Sequence, residues 1–319
     1  MGLYILRRLG SLVVVVIIVT LFSFSLIKFI PGDPVINMVG YFDPKKIGAL
    51  RHQLGYDRPF IVQYVDWLKG FLHGDFGQIF HGVSGGSPAY AQIKRALPVS
   101  LELMAFAMVL TLLFAIPLGV LSAYRNGTWL DKIFSTTAFG LIAIPDFVVG
   151  IILLDFVAVK HGWLPANYTY WGQNHLDHIK SLLLPAISLA IGQIAGYMRL
   201  LRSDMIQTLQ EDYVAMARAK GMPDRRVLWL HALRPSSLTL FTVAGLNIGA
   251  LIGGTVVVEV VFQIPGMGTE LFSAITQRQY QEIQSFVAVI AIGYVLVNLF
   301  IDILYTFLDP RVRSARALA

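Results

Sequence analysis

Two clusters of polar side chains in this sequence have the composition of a reactive or ligand-binding site. Residues 174–178, Asn-His-Leu-Asp-His, bring two imidazoles and a carboxylate close together, and such groups bind divalent metal ions. Residues 84–87, Ser-Gly-Gly-Ser, offer two hydroxyls, but a serine nucleophile needs a base in the same pocket. No histidine occurs in the long apolar segments, which disfavours an intramembrane serine protease. For residues 174–178 we favour a polar loop at a membrane interface, with a metal site as the alternative.

Isolated acidic residues within or beside apolar segments form a third group. Asp155 lies inside the apolar segment 133–159, and Glu259 directly follows the apolar segment 236–258. A charged side chain at the centre of a bilayer costs ~3 kcal/mol or more unless it is paired or hydrated. These carboxylates therefore either line a hydrated path, or lie near an interface or pair with another subunit. Both interpretations stay open for Asp155.

Several classes of chemistry are excluded by what the sequence lacks. It contains no cysteine, so it has no disulfide, thiolate metal site or cysteine nucleophile. A phosphate-binding P-loop ends in Gly-Lys-Ser/Thr, and no Gly-Lys pair occurs. The net charge of +6 comes largely from basic residues beside the apolar segments, and no nucleic-acid-binding motif is present. We predict no catalytic residue, no cofactor on this chain and no nucleic-acid partner.

The elements that must position these residues are membrane helices. The 319 residues are 56% hydrophobic and only 14% charged, against about 25% charged in ordinary soluble domains. Residues 9–30 would form a helix about 33 Å long, enough to cross a bilayer core of ~30 Å. The sequence predicts an all-α polytopic membrane protein with about six transmembrane helices. Their approximate bounds are 9–30, 100–124, 133–159, 181–201, 236–258 and 286–308.

The distribution of basic residues predicts the orientation of these helices. Arg7 and Arg8 precede the first helix, and the tail after the last one is also basic, which places both termini in the cytoplasm by the positive-inside rule. Within the polar segment 31–97 we expect helices over 44–53 and 59–72 and a loop over 74–88. Pro185 is expected to break the fourth transmembrane helix early. The predicted division is 1–30 for the tail and first helix, 31–97 for an extracytoplasmic segment, and 98–319 for a core of five transmembrane helices.

Residues 203–235, here called the coupling loop, form a basic island between two apolar segments. Thr208 and Glu211 have the spacing of a capping box, which predicts a short helix from Leu209 to Lys220. Gly221 can take the left-handed conformation that ends a helix, and Pro223 prevents the helix from resuming. A second helix is expected to begin near Asp224.

The predicted short helix has a surface suited to a partner's groove. Its small residues allow close approach of another backbone, and methionine adapts to irregular surfaces. Tyr213 and Ala217 lie four residues apart and are expected to share the contact face. The competing interpretation is a solvated basic linker.

The chain resembles the permease subunits of ATP-binding-cassette (ABC) importers, and within them the peptide/nickel branch. The resemblance rests on ARAKG at 217–221 followed by HALR at 231–234, on GGTVVVEVVFQIPGMG at 253–268, and on LDPR at 308–311. The family's general loop motif, Glu-Ala-Ala followed by a spaced Gly, is degenerate here. Gly221 matches it, but of Ala215, Met216 and Ala217 only the last does.

The resemblance implies a type I ABC importer permease fold, an extracytoplasmic segment after the first helix, and two sites. The first is a coupling helix that docks on an ATPase subunit, for which the residues are Glu211, Asp212, Tyr213, Ala215, Met216, Ala217, Lys220 and Gly221. The second is a translocation path or outer gate, for which they are Asp155, Glu259, Phe262, Pro265, Gly266 and Gly268. Pro265 to Gly268 should turn the chain at membrane depth, where irregular backbone is tolerated only inside protein or beside water. Gly266 and Gly268 are expected to adopt backbone angles closed to other residues, although a purely structural turn is the alternative.

Partners and location also follow from the resemblance. It implies a second, similar permease subunit, two ATPase subunits that carry ATP and magnesium, an extracytoplasmic substrate-binding protein, and membrane lipid around the chain. The location is then the cytoplasmic membrane of a bacterium or archaeon. The implied cargo is a dipeptide or oligopeptide, with nickel or another small solute as the alternative. A self-contained secondary transporter or channel is the alternative from a different class.

Overall fold

Helices make up nearly all of the computed structural model, which describes residues 2–28, 35–36, 44–53, 55–80 and 86–308. The all-α prediction is confirmed. The helices are α1 Gly2–Lys28, α2 Pro44–Gln53, α3 Phe60–Leu72, α4 Ala89–Tyr124, α5 Trp129–Ile142, α6 Asp146–Leu153, α7 His175–Leu209, α8 Asp212–Ala219, α9 Asp224–Arg226, α10 Leu233–Val261, α11 Met267–Thr276 and α12 Tyr280–Leu308. Two π-helical segments, Leu154–Lys160 and Val227–Ala232, extend α6 and join α9 to α10.

Three helices of the described chain are long and apolar enough to cross a membrane: α4, α7 and residues Tyr280–Ile301 of α12. The number rises to five if each of two bent pairs counts as one span: α5 with α6 and its π-helical extension, and Asp224–Gly249 with Leu251–Val261. Within α1 the apolar stretch found is the shorter Leu12–Ser25. A membrane protein with several spans is therefore confirmed, and the count of six stays a prediction.

One compact unit comprises Met1–Ser100 and Pro265–Leu299. In it, α1 packs on α3 through an aromatic cluster in which the Phe24 ring lies 5.4 Å from Phe60 and 5.6 Å from Tyr64. The Thr20 and Tyr64 hydroxyls hydrogen bond at 3.0 Å. The backbone N–H of Met267, at the start of α11, donates to the Ser100 hydroxyl at 2.8 Å. Because α11 has no side-chain cap of its own, α4 supplies one.

The second unit comprises Leu101–Ile264 and Phe300–Ala319. Helix α7 lies at its centre and packs against α5, α6 and α10. Glycines bring other helix pairs of this unit close together. A Cβ added to Gly119 of α4 would lie 3.0 Å from a methyl of Leu201 on α7, and one on Gly245 of α10 would lie 2.7 Å from a methyl of Ile301 on α12. The tight helix packing expected of small residues in membrane helices is present at these positions.

Residues 44–88 agree with the predicted pattern except at the hairpin. Helices α2 and α3 confirm the two predicted helices. The stretch 74–88, expected as loop, contains strands β1 Gln78–Phe80 and β2 Gly86–Pro88, which pair antiparallel with Ile79 opposite Ser87. Helix α4 begins at Ala89, so the predicted border at 97/98 falls inside it. The end of the first predicted helix at residues 29–30, Ser84 and Gly85 of the Ser-Gly-Gly-Ser cluster, and the basic tail after Leu308 lie outside the described residues.

The two prolines at 145 and 185 act differently from each other. The expected early break at Pro185 is wrong, because α7 continues through it. Leu184, Pro185 and Ala186 are all buried, and their packing holds the helix despite the missing N–H. At Pro145 the expected single helix over 133–159 is broken, and α5 and α6 meet at 98°. Pro145 has ψ of 140°, and a proline disfavours helical angles in the residue before it.

Candidate coupling element and translocation-path residues

Helix α8 forms the centre of the coupling loop, but it begins later than expected. Its N-cap is Glu211, which makes no side-chain cap hydrogen bond, so the predicted capping box and the start at Leu209 are wrong. Helix α7 runs to Leu209. The Thr208 hydroxyl lies 3.0 Å from that of Ser236, on α10. The hydroxyl expected to cap α8 therefore ties α7 to α10 instead.

The end of α8 follows the prediction. Gly221 has φ of 77°, its N–H donates to Arg218 O at 2.9 Å, and Met222 N–H donates to Ala217 O at 3.3 Å. These two bonds form a Schellman motif. Pro223 then takes the N-cap of α9, which begins at Asp224 as expected. The left-handed stop at Gly221 and the second helix are confirmed.

One face of α8 is buried within this chain. Val214 and Ala217 pack with Val227 of the π-helical segment, and Leu209 and Met222 close the cluster. Ala217 is only 6% exposed. The expectation that Ala217 and Tyr213 share an outward contact face is therefore wrong for Ala217, whose side chain supports α8 from inside.

The opposite face of α8 is open to a partner. Asp212, Ala215, Met216 and Ala219 are exposed along it, and Met216 is 58% exposed. We call these four residues the outward face of α8. Tyr213 lies at its edge, where its hydroxyl donates to the His231 carbonyl at 3.3 Å. Burial raises the pKa of the Tyr213 hydroxyl, and the nearby Glu211 carboxylate adds to the rise, so the tyrosine stays a neutral donor.

A groove of about 550 Å³ lies in the helical stretch that follows α8. It is lined by Pro223, Arg225, Arg226, Trp229 and Leu230. Trp229 and Leu230 are each nearly half exposed, which extends the accessible apolar surface beyond Met216. The outward face of α8 and this groove give the coupling loop a mixed apolar and basic surface.

A buried ion pair anchors the helices that carry the coupling loop. Arg202 of α7 donates to both carboxylate oxygens of Asp131, at 2.5 and 2.7 Å. Asp131 also accepts from the Ser122 hydroxyl at 2.7 Å and from Gly127 N–H at 2.9 Å, and Asn126 accepts from Arg202 at 3.0 Å. Asp131 is 3% exposed. This bidentate pair joins the C-terminal part of α7, which is predicted to face the cytoplasm, to the α4–α5 turn. Sequence reasoning missed it because its partners lie far apart in the chain.

The predicted outer-gate residues are divided between the two units. Glu259 and Phe262 are buried at the end of α10, while Pro265, Gly266 and Gly268 belong to the other unit. The left-handed residue is Gln263, with φ of 52°. It ends α10 in a Schellman motif through Gln263 N–H to Val260 O at 3.3 Å and Ile264 N–H to Glu259 O at 2.9 Å.

The expected conformational role of the two glycines is therefore wrong. Gly266 has φ of −101° and ψ of −179°, extended angles that any residue adopts. Gly268 lies within α11 and has no positive φ. The chain reverses two residues after α10, at Gln263, so the left-handed angle is not at either glycine. Whether the five predicted residues form a gate stays a prediction.

Replacing Gln263 with glycine should stabilise the protein. A left-handed angle costs an L-residue roughly 1 kcal/mol that glycine avoids. We expect the unfolding midpoint of the detergent-solubilised protein to rise by ~2 °C. Gln277→Gly is the matched control, because Gln277 has φ of −87° and should give no gain. A midpoint that falls with Gln263→Gly would contradict a strained left-handed turn here.

Asp155 has a local partner. Its carboxylate accepts from the Lys160 ammonium at 2.6 Å, and the two side chains are 54% and 61% exposed. Of the two interpretations left open, pairing is what the described residues show, although with a lysine of the same chain. Nothing in this geometry favours a role for Asp155 in the path, and that role stays a prediction.

The two histidines at 175 and 178 have different surroundings. His178 is buried. Its Nδ1 donates to the Thr169 carbonyl at 2.6 Å, and its Nε2 lies 2.7 Å from Glu102 Oε1. His175 is exposed, with its ring 4.6 Å from that of Trp171. No group of three or more potential metal ligands occurs within the described residues, and both ring nitrogens of His178 are already engaged.

We expect the two histidines to respond differently to alanine substitution. His178→Ala removes the donor to the Thr169 carbonyl and the close contact with Glu102, and loss of a buried hydrogen bond typically costs ~1–3 kcal/mol. His175→Ala removes only an exposed ring contact and should be nearly neutral. Thermal unfolding of each purified variant tests this, with uptake measured with and without added nickel. Loss of nickel-dependent uptake in His175→Ala would instead indicate a metal site.

Asp146 is a partly exposed carboxylate that sequence reasoning overlooked. It is the first residue of α6, directly after the break at Pro145. The available signal was the triplet Ile144-Pro145-Asp146, a proline and a carboxylate in the middle of an apolar segment.

Comparison with known proteins identifies the family of this chain. The family described as "Binding-protein-dependent transport system inner membrane component" matches residues 115–314, and its companion N-terminal family matches residues 1–85.

The chain is also similar to individual transport proteins. It is 39% identical over 322 residues to the oligopeptide transport system permease protein AppB of Bacillus subtilis, and this alignment covers 98% of this chain and 99% of that protein. It is 36% identical to a probable peptide ABC transporter permease, y4tP, of Sinorhizobium fredii (98% and 100% covered), and 34% identical to the dipeptide transport system permease protein DppB of Escherichia coli (98% and 99% covered). The chain therefore belongs to the family of inner-membrane components of binding-protein-dependent transport systems.

Proposed function

We propose that this chain is the permease subunit of an ATP-driven peptide importer and forms half of its translocation path. The relatives named above, whose names specify peptide, oligopeptide or dipeptide transport, support peptide cargo. The missing P-loop supports an ATPase on separate subunits. A second permease subunit, two ATPase subunits that carry ATP and magnesium, and an extracytoplasmic binding protein complete the assembly. Both termini and the coupling loop face the cytoplasm.

The single observation that carries the coupling role is the construction of α8. Its inner face is fixed by the cluster around Val214, and its C-terminus is fixed by the stop at Gly221. Its outward face around Met216 is left exposed beside the groove at Trp229. A helix that is packed on one side and exposed on the other can transmit the movement of a partner protein, because its exposed face can bind in a groove on that partner. We assign the outward face of α8 to contact with the ATPase.

Reconstitution of the complete transporter tests the function. The permease pair and ATPase are placed in proteoliposomes with ATP inside and the binding protein outside, and uptake of a labelled dipeptide, a labelled oligopeptide and nickel is measured. We expect peptide uptake that requires both ATP and the binding protein. Uptake of nickel alone would overturn the peptide assignment. Uptake by the permease without an ATPase would indicate a secondary transporter or channel.

A further inference from the structure

The break between α5 and α6 places a carboxylate at an unusual point of a membrane span. The two helices form a bent pair that is long and apolar enough to cross a membrane, with the break at residues 143–145. The residues around the break, Ala143, Ile144, Pro145 and Phe147, are exposed in the isolated chain. Asp146 follows the break and is partly exposed. Irregular backbone at membrane depth is tolerated only inside protein or beside water, so this face is not covered by lipid in the assembled transporter.

Two glycines on other helices border the Asp146 carboxylate, and Gly192 makes room for it. A Cβ added to Gly192 of α7 would lie 3.3 Å from Asp146 Oδ1, and one added to Gly254 of α10 would lie 3.5 Å from Oδ2. One turn further along α6, a Cβ on Gly150 would lie 3.1 Å from the Phe262 ring. Helix α6 is therefore seated closely against α7 and α10, and the carboxylate occupies a slot between two backbones.

The slot provides space but no counter-charge. No hydrogen bond or ion pair joins the Asp146 carboxylate to another residue in the part of the chain that the structure describes. An ionised carboxylate at membrane depth is costly unless it meets water or a cation. Asp155 differs, because Lys160 pairs with it. The position of Asp146 thus calls for a hydrated surface and for a cationic ligand.

We propose that Asp146 lines the translocation path and contacts the ammonium group of the passing peptide. This inference rests on the proposed function for the identity of the cargo. A peptide's α-amino group has a pKa near 7.7–8.0, so most of it is positively charged at neutral pH and is attracted by a carboxylate. Gly192 and Gly254 border that carboxylate, and Gly192 leaves it the space that a side chain would crowd.

Cysteine labelling tests whether Asp146 faces water. The chain contains no cysteine, so Asp146→Cys in the assembled transporter gives a single thiol on this subunit. We expect a membrane-impermeant thiol reagent to label it, and saturating peptide cargo to slow labelling at least threefold. Absence of labelling, with full labelling after denaturation as the positive control, would overturn the proposal. This outcome is independent of the cargo's identity, so it is distinguishable from failure of the proposed function.

Asp146→Asn tests the role of the charge, because it keeps the shape of the side chain and removes the carboxylate. Uptake of one peptide and of its des-amino analogue is compared at concentrations that saturate the binding protein. We expect the ratio of peptide to analogue uptake to fall about tenfold in Asp146→Asn and to stay unchanged in the control Asp66→Asn, whose carboxylate is exposed on α3. An unchanged ratio in Asp146→Asn would overturn the ammonium contact. Loss of the second permease from the purified complex would also overturn it, by showing that Asp146 pairs with that subunit.

Discussion

Replacing Met216 with glutamate is expected to leave the chain in the membrane but to release the ATPase subunit and abolish uptake. Met216 is 58% exposed at the centre of the outward face of α8, so a larger polar side chain meets no obstacle within this chain. If a groove on the ATPase covers that face, the new carboxylate is buried without a partner, which costs several kcal/mol. Because each 1.4 kcal/mol is a factor of ten in affinity, docking should weaken at least ~100-fold.

Co-purification of the ATPase with each variant, beside the membrane abundance of this chain, measures the effect. Gln210→Glu is the matched control, since Gln210 is exposed and precedes α8. It introduces a carboxylate into the same loop outside the outward face and should retain the ATPase. Full recovery of the ATPase and of uptake with Met216→Glu would show that this face is not the coupling surface.

Ala217→Glu is a less direct probe of docking than its position in the motif suggests. Ala217 packs against Val214 and Val227, so a glutamate there would displace the support of α8 before any partner is met. If the ATPase no longer co-purified with Ala217→Glu, the cause could be either a blocked docking surface or disturbed packing of the coupling loop itself. Met216→Glu avoids this ambiguity because its side chain points away from that cluster.

Asp131→Ala is expected to cause the largest loss of stability among the substitutions considered. After this change, Asn126 is the one acceptor left to the Arg202 guanidinium within the described residues. The Arg202 side chain is only 25% exposed, so water replaces the lost carboxylate poorly. Breaking a buried pair costs about 3–5 kcal/mol, and the partial exposure of Arg202 favours the lower end. Thermal unfolding of the detergent-solubilised protein should show a clear drop in midpoint, with reduced abundance in the membrane.

A double-mutant cycle isolates the contribution of the pair. Asp131→Ala combined with Arg202→Ala should cost less than the sum of the two single changes, because the unpaired charge is removed with its partner. The exposed pair of Asp155 and Lys160 is the matched control, and Asp155→Ala should cost no more than ~1 kcal/mol. Additive effects at Asp131 and Arg202 would contradict a coupled buried pair.

Local sequence signals determined much of this protein. Long apolar segments predicted a membrane protein, because the bilayer excludes unpaired backbone and leaves helices as the simplest way to cross it. Gly221 and Pro223 predicted where the coupling loop turns, since backbone angles and a missing N–H act within a few residues. The motifs ARAKG and HALR carried the resemblance to importer permeases for the same reason, as each is a contiguous stretch of chain.

What only the tertiary structure decided depends on contacts between distant residues. Thr208 meets Ser236 rather than capping α8, and Ala217 faces Val227 rather than a partner, although the local pattern was equally compatible with either. Pro185 lies inside a continuous helix because packing outweighs the lost hydrogen bond, whereas Pro145 ends a helix and starts the next. The slot around Asp146 is built from Gly192 and Gly254, which lie 46 and 108 residues further along the chain. Such a juxtaposition is a property of helix packing, and no local pattern in the sequence encodes it.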